Sequence, residues 1–408
     1  MTIKLYNSRS REIEEFKSVE EGFVKMYTCG PTAYDYMHIG NLRTAFFSDT
    51  LKKMFLISGY KFLHVMNITD FGHIIGDADT GEDKMTIGLK RENLPRTLVG
   101  MQTLARKYTG FYLDDLKRLN IAIPEIIPNA SEYISEYLEM IKDLTAQNFT
   151  YQISDGIYFD TAKDASYGAM ALLDRKKDDK NRIEVKTEKR NSADFCLWKF
   201  ASRENGDVGF ETSDSEIPYG FPGWHIECSG MAKKFLGKTF DIHTGGIDLM
   251  PVHHINEIAQ SENANECTFC NFFCHGEMLN IKNEKMSKSK NNFLTLNSII
   301  EAGYSPLVYR YFLLQTHYRK NVNFSWEAMD ASKIALEKLK TFLDKIKTDT
   351  EVKINQKYFD KFLNDLQYDL HTPKALATLW TLVKDKDVSD SEKYWTILEM
   401  DKVFSLSL

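Results

Sequence analysis

The sequence predicts an α/β protein with a doubly wound, Rossmann-like parallel sheet, an inserted connective segment and a C-terminal helical bundle. A strand pattern at residues 24–29 is followed by helical spacing at 43–56 and by a second strand pattern at 61–68. A strand, a helix and a strand in this order are typical of a βαβ unit with parallel strands. A second α/β stretch covers 240–300, and helical spacing of apolar residues continues from Ser305 to the end.

These patterns divide the chain into four regions. The predicted boundaries are 1–120 for the first half of the sheet domain, 121–210 for the connective insertion, 211–304 for the second half and 305–408 for the helical bundle. Within the insertion, residues 171–190 are dense in charge and poor in large apolar side chains. We predict a solvated loop there, and a mobile flap or a nucleic-acid contact is the alternative.

Composition limits the classes of protein. The net charge of −6 argues against a general nucleic-acid coat, although a local basic face can still hold phosphates. No apolar run approaches the roughly 20 residues of a membrane-spanning helix, so we expect a cytoplasmic protein with no membrane partner. Six cysteines in 408 residues do not form a disulfide scaffold, and they are typical of core residues or metal ligands.

The first candidate motif is His38-Ile39-Gly40-Asn41, between the first strand and its helix. A helix start offers backbone N–H groups and a positive dipole end, which suit phosphate. The His38 side chain adds a donor, and Gly40 allows a ligand to approach the backbone closely. Alone the motif is weak, because a single histidine near a turn is more often structural.

The second candidate motif is Lys285-Met286-Ser287-Lys288-Ser289. Its two ammonium groups can stabilise negative charge that develops on a pyrophosphate leaving group. A lysine-rich loop taken alone is usually only solvated, but the pair of motifs in this order is much more specific.

Together these two motifs resemble those of class I aminoacyl-tRNA synthetases, which usually read H-I-G-H and K-M-S-K-S. The resemblance implies a doubly wound sheet that binds ATP and joins the carboxylate of an amino acid to the α-phosphate. One position departs from the usual pattern, since the fourth residue is Asn41 and not histidine. Asparagine still donates hydrogen bonds, so the role can survive with weaker charge stabilisation.

Further motifs resemble cysteinyl-tRNA synthetases. The resemblance covers residues 1–330 in order and fades over the last hundred residues. The motifs that carry it lie at 27–32 (YTCGPT), 223–228 (GWHIEC), 241–249 (DIHTGGIDL) and 253–257 (HHINE).

By position, Cys29, Cys228, His253 and Glu257 match the zinc ligands of that family, with one Zn²⁺ per chain. Their chemistry agrees, because two thiolates, an imidazole and a carboxylate are all good Zn²⁺ donors. His253 and Glu257 are four residues apart, so on a helix both point to one side. Each residue alone has a simpler explanation as a buried thiol or a surface pair.

A second metal site is a competing interpretation. Cys267, Cys270 and Cys274 have a C-x2-C-x3-C spacing that is followed by a histidine. The spacing alone leaves this possibility open.

The resemblance assigns roles to the remaining motif residues. It implies that His38, Asn41, Lys285 and Lys288 act on the phosphates, that Gly40, Gly245, Asp248 and Lys288 bind the nucleotide, and that Gly30, Thr32, Trp224 and His243 bind cysteine.

The implied activity is ATP-dependent activation of L-cysteine and its transfer to tRNA(Cys), with Mg²⁺ accompanying ATP. Zinc would recognise the substrate thiol, since a shape-selective pocket gains only ~1–3 kcal/mol between cysteine and serine. We expect a monomer whose helical bundle contacts the tRNA stem and is C-terminally incomplete. Two alternatives are the cysteine ligase of mycothiol synthesis, a shortened relative, and a non-catalytic paralogue that binds cysteine or zinc.

Overall fold

The computed structural model describes residues 2–72, 83–172, 188–212, 214, 216–281, 284–285, 293–350 and 352–408, with 284–285 described in their backbone only. The strands are β1 (Lys4–Asn7), β2 (Glu12–Glu15), β3 (Phe23–Thr28), β4 (Lys61–Met66), β5 (Thr150–Ile153), β6 (Gly156–Phe159), β7 (Phe195–Phe200), β8 (Gly220–Pro222), β9 (Phe240–Gly246), β10 (Cys270–Gly276), β11 (Leu279–Ile281), β12 (Glu284–Lys285) and β13 (Val322–Phe324).

The α-helices of the same residues are α1 (Ile39–Ile57), α2 (Lys84–Glu92), α3 (Leu98–Arg118), α4 (Ile134–Ala146), α5 (Trp224–Leu236), α6 (Ile255–Asn265), α7 (Leu296–Glu301), α8 (Pro306–Leu314), α9 (Trp326–Ile346), α10 (Gln356–Gln367), α11 (Thr372–Lys384) and α12 (Asp390–Phe404). None of these described helices is long and apolar enough to span a bilayer.

The centre of the fold is a four-stranded sheet with the strand order β10-β9-β3-β4. Each of its pairings is parallel. Parallel strands need crossover connections, which α1 supplies between β3 and β4 and α6 supplies between β9 and β10. The predicted parallel sheet and its first βαβ unit are confirmed.

Both faces of this sheet are buried. Successive residues of a strand point to opposite faces, so neighbouring residues belong to different apolar clusters. Met26 and Met66 belong to an apolar cluster with α1 and the C-terminal helices. Their neighbours Tyr27 and Val65 belong to a second cluster with α3, α4, α5 and α6. Burial on both faces is the property that defines a doubly wound sheet.

A second sheet lies between the two halves of the parallel sheet in sequence. Its order is β5-β6-β7-β8, and its pairings are antiparallel. The charge-dense segment predicted as a loop falls mostly on 173–187, outside the described residues. The four region boundaries stay a prediction.

The C-terminal region is helical, as predicted, and a buried ion pair joins it to the sheet domain. Arg310 on α8 donates to Asp49 on α1 over 2.8 Å, and both side chains are buried. The same guanidinium donates to the carbonyl oxygens of Phe404 and Leu119, at 2.6 and 2.9 Å. One side chain therefore connects α1, the end of α3 and the end of α12.

Replacing Arg310 by leucine should destabilise the protein strongly, because it removes a donor from two carbonyl groups and from the buried carboxylate of Asp49, which keeps its pair with Lys53. Loss of one partner of a buried pair costs about 3–5 kcal/mol, which urea denaturation measures. Lys402→Leu is the control, since its pair with Glu399 is exposed at the lysine end and an exposed pair is worth at most about 1 kcal/mol. Equal losses in the two variants would contradict this assignment.

Candidate active site and metal centre

The site lies where the order of the parallel sheet reverses. The chain passes from β3 outward to β4, and from β9 outward in the other direction to β10, so β3 and β9 are neighbours with diverging connections. Ligands of such sheets bind beyond the carboxyl ends of the strands at this point. A cleft of about 470 Å³ lies there. Its walls are formed by Thr28, Cys29, Gly30, Pro31, Thr32, Met37, Asn41, Thr44, Ala45, Asn67, Thr69, Lys84, Tyr112, Trp224, Cys228, Gly246, Asp248, Leu249 and His253.

Gly30 is required by the close approach of two loops at the end of β3. A Cβ atom at this position would lie 1.6 Å from the carbonyl oxygen of Asn67. The side chain of Asn67 also accepts a hydrogen bond from the Gly30 N–H over 2.9 Å and one from the Tyr27 hydroxyl over 3.1 Å. Asn67 was not predicted as a site residue, although its position directly after β4 is where the rule for parallel sheets would have located one.

The first turn of α1 begins four residues earlier than the predicted helix, because His38 and Asn41 cap it. The His38 Nδ1 atom accepts from the Asn41 N–H over 3.1 Å, and the Asn41 Oδ1 atom accepts from the His38 N–H over 3.2 Å. This reciprocal pair satisfies two backbone donors at the helix start. Asn41 also lines the cleft, and Gly40 lies in the same turn.

The four predicted metal ligands come together at the base of the cleft. Cys29 Sγ lies 4.0 Å from Cys228 Sγ and 3.6 Å from Glu257 Oε1, although Cys29 and Cys228 are 199 residues apart. His253 Nε2 lies 2.8 Å from Glu257 Oε1. Ligand atoms of a tetrahedral zinc site are roughly 3.3–3.8 Å apart for the usual bond lengths. The spacing of these four donors therefore suits a metal ion.

The local helix geometry explains how His253 and Glu257 face the same point. Residues Met250–His254 form a π-helical turn that leads directly into α6. Such turns are rare and frequently occur at functional sites. The predicted i, i+4 relation is confirmed by the contact between the two side chains.

The electrostatics of this cluster indicate a need for positive charge. Burial and a hydrogen bond to Cys228 raise the pKa of the Cys29 thiol, whereas that hydrogen bond lowers the pKa of Cys228 to about 6. Burial disfavours the charged form of His253, but Glu257 and Cys228 outweigh it and raise the pKa of His253 to about 10. Burial likewise opposes ionisation of Glu257, but His243 and His253 hold its pKa far below the usual range. A divalent cation would replace these protons and stabilise both thiolates.

A second group of donors overlaps the first. Cys29, His243, His254 and Glu257 also lie within metal-binding distance of one another. His243 and His254 are fully buried and do not line the cleft, whereas Cys228 and His253 do. Three residues of the predicted set, Cys29, Cys228 and His253, therefore meet the space that a substrate can enter, whereas the second set meets it only through the shared Cys29.

The structure places His243 behind the cluster, although it was predicted in the cysteine pocket. Its Nε2 atom lies 2.7 Å from Glu257 Oε2, and the ring is fully buried. His225 has a similar position, since its Nδ1 atom lies 3.0 Å from the Nδ1 atom of His253. These contacts orient the two ligands, as outer hydrogen bonds do at metal sites. Trp224, predicted in the pocket, does line the cleft and stacks on His253 at 4.3 Å.

The second metal site suggested by the Cys267 spacing is not formed. Cys270 and Cys274 both lie on the extended strand β10, where a separation of four residues spans about 13 Å. The Cys270 and Cys274 thiols contact the carbonyl oxygens of Phe272 and Tyr6. Neither of the two metal-binding groups found among the described residues includes these cysteines.

Of the residues predicted to bind the nucleotide or its phosphates, some line the cleft and others do not. Asp248 lines the cleft, as does Thr32, which was predicted to bind cysteine. Gly245 does not, and a Cβ atom there would lie 2.8 Å from the His254 ring, so this glycine allows the ring to pack on β9. Lys285 belongs to β12, of which only the backbone is described, and Lys288 lies outside the described residues.

One buried side chain without a predicted role connects three parts of the site. Arg43 follows the capped turn of α1 and donates to the carbonyl oxygens of Met278 and Lys320, both at 2.5 Å. Burial lowers the pKa of Arg43 to about 10. The guanidinium thereby ties the start of α1 to the residue before β11 and to the loop before β13.

Comparison with known proteins identifies the family. Residues 15–334 match the family model for the class I (C) tRNA synthetase catalytic domain. A cysteine--tRNA ligase of Borrelia hermsii is 39% identical over 100% of this chain and 87% of its own length. Cysteine--tRNA ligase 1 of Burkholderia lata is 40% identical over 100% of this chain and 85% of its own length. The chain belongs to the cysteine--tRNA ligase family.

Solved structures of other class I synthetases share the family's fold. Mycobacterium tuberculosis methionyl-tRNA synthetase with methionyl-adenylate has a TM-score of 0.61 at 15% identity, covering 94% of this chain and 90% of its own. The LeuRS–tRNA–LeuAMS complex of Agrobacterium radiobacter has a TM-score of 0.66 at 10% identity, with 96% and 86% covered. At these identities the likeness establishes the fold, and it agrees with the doubly wound sheet.

Gly30→Ala should strongly lower the rate of amino-acid-dependent ATP–pyrophosphate exchange, the activation assay of this enzyme class. The added methyl group collides with the Asn67 carbonyl, and a displacement of about 1 Å at a reacting site costs on the order of 100-fold in rate. Gly110→Ala is the matched control, because its Cβ atom meets open space on α3. Urea denaturation of both variants separates a local displacement from unfolding. Normal exchange by Gly30→Ala would contradict the geometry described above.

Proposed function

We propose that this protein is a cysteine--tRNA ligase in which a zinc ion at Cys29, Cys228, His253 and Glu257 selects the substrate. It activates L-cysteine with ATP and transfers the activated amino acid to tRNA(Cys). The observation that carries the proposal is the convergence of two thiols, an imidazole and a carboxylate, of which the thiols and the imidazole line the cleft.

The donor set favours zinc over other divalent ions. Two sulfur donors are too soft for Mg²⁺ or Ca²⁺, and sulfur with imidazole and carboxylate suits Zn²⁺. The carboxylate of Glu257 and the ring of His253 are each held by a second histidine, His243 and His225. The chain therefore holds its ligands in place through contacts that do not depend on the metal.

The same donors explain how cysteine is distinguished from serine. When bound, zinc would supply a soft Lewis acid that prefers an ionised sulfur to a neutral hydroxyl group. Trp224 stacks on His253 beside the metal ligands and limits the size of the side chain that fits. Thr32, Asn67 and Thr69 line the rest of the cleft and offer polar groups to the amino acid's backbone end.

ATP is proposed to lie between the start of α1 and Asp248. The first turn of α1 presents its N-terminal end to the cleft at Asn41, which favours phosphate. Asp248, an exposed residue that lines the same cleft, can accept from ribose hydroxyls. Lys285 and Lys288 are proposed to act on the phosphates, with Mg²⁺ accompanying ATP. The monomeric state and the cytoplasmic location remain predictions.

The activity is tested by ATP–pyrophosphate exchange with cysteine and with serine. We expect exchange with cysteine. Exchange with serine should be lower by on the order of 10⁴-fold, which exceeds the roughly 10–200-fold discrimination that shape alone provides. The acceptor is then tested by charging tRNA and, separately, an amino-sugar inositol. Equal exchange with both amino acids would contradict thiol recognition, and transfer to the amino sugar alone would favour the mycothiol-type ligase.

The metal is tested by its content in purified protein. Cys228→Ala should lose close to one equivalent of zinc, because it removes a ligand from a site that needs four. Cys274→Ala is the matched control, since this buried thiol contacts the carbonyl oxygen of Tyr6 and belongs to neither metal-binding group of the described residues. Atomic absorption after dialysis against a weak chelator gives the stoichiometry. Unchanged zinc in Cys228→Ala would exclude the proposed ligand set.

A further inference from the structure

We propose that Tyr36 and Phe111 form a stacking platform at the mouth of the cleft for an unpaired base of the tRNA 3′ end. The inference rests on the proposed function, because it concerns the acceptor that receives the activated amino acid.

The two rings form an exposed aromatic pair. Their centroids are 4.9 Å apart with a tilt of 34°, and each residue exposes 39% of its surface. Large aromatic side chains that remain adjacent and exposed are candidates for a binding surface.

A buried tyrosine holds the pair in place. Tyr108 is 2% exposed, and its ring meets Tyr36 edge-on at 5.3 Å and Phe111 at 6.0 Å. Its hydroxyl donates to Glu92 at the end of α2. Because the rings are supported from below, little conformational entropy is lost when a planar group stacks on them.

The platform continues the wall of the cleft. Met37, which follows Tyr36, and Tyr112, which follows Phe111, both line the cleft. Tyr36 lies two residues before His38, the N-cap of α1. The aromatic pair therefore marks the place where the catalytic cleft opens to the protein surface on the side of α3.

A single nucleic-acid strand matches this arrangement. The terminal hydroxyl of tRNA has to reach the activated amino acid inside the cleft, so the unpaired nucleotides before it must cross the mouth. Bases stack on aromatic rings whatever their sequence. Arg91 and Lys107 lie 5.1 and 5.5 Å from the Tyr108 ring centre. Both cations are paired with carboxylates, so stacking supplies most of the affinity.

The experiment separates activation from transfer. Tyr36→Ala and Phe111→Ala should retain cysteine-dependent ATP–pyrophosphate exchange, because neither ring lines the cleft. Single-turnover transfer from preformed adenylate should need roughly 5- to 150-fold more tRNA for half-maximal rate, the range for loss of one stacked base.

Conservative variants identify the interaction. Phe111→Tyr keeps a π-face and should transfer normally, whereas Phe111→Leu keeps apolar bulk without the ring and should behave like Phe111→Ala. Val99→Ala is the control on the same helix, since Val99 is 68% exposed and about 18 Å along α3 from Phe111.

Three results would overturn the platform: unchanged transfer in both alanine variants, equal loss of exchange and transfer, or full activity in Phe111→Leu. The second would assign the rings to amino-acid activation, and the third to apolar packing, including contact with another protein. Absence of exchange in the unmodified protein would contradict the proposed function itself, which the exchange assay reveals before any transfer is measured.

Discussion

Strands β3 and β9 pair in parallel, with Met26 opposite Ile242 and Thr28 opposite Thr244. This pairing aligns the end of β3 with Thr244, two residues before the end of β9, and the site depends on that alignment. The Cys29 N–H donates to the Thr244 carbonyl over 3.3 Å, which fixes the first metal ligand at the end of β3. The turn after β9 then leads into α6, which brings the candidate ligand of that helix next to the ligand at the end of β3. Without this register the thiols and the carboxylate would not meet.

The ligands of the buried cluster are held by hydrogen bonds to neighbouring side chains rather than by solvent. Two contacts do this, one from His243 to Glu257 and one from His225 to His253. The His225 ring is in turn bonded to Asn256 at 3.0 Å. Buried polar groups are costly when unpaired, and a connected network of them rigidifies its surroundings. The ligands are therefore preorganised by His243, which was predicted in the cysteine pocket, and by His225, which had no predicted role.

Several features of the fold and the site could be predicted because they are local. The alternation in β3, the breaker after it and the helical spacing of α1 depend only on neighbouring residues, and the i, i+4 pair of His253 and Glu257 does as well. Other features could not be predicted in this way. The cap that Asn41 forms with His38 depends on hydrogen bonds between their side chains and the backbone. The spacing of Cys267, Cys270 and Cys274 predicts a metal site only if the chain bends there. In an extended strand the same spacing separates the sulfur atoms.

By itself the sequence determined the class of fold, the family and the identity of the four candidate ligands, because these follow from residue types in order along the chain. Only the tertiary structure decided which groups from distant parts of the chain contact the residues of the site. Gly30 is required by a carbonyl group from a distant loop, and Gly245 by the ring of His254. Tyr36 and Phe111 become one surface only when α3 packs beside the start of α1. Such contacts join residues far apart in the chain, and the free energy that selects them comes from packing, which no local pattern records.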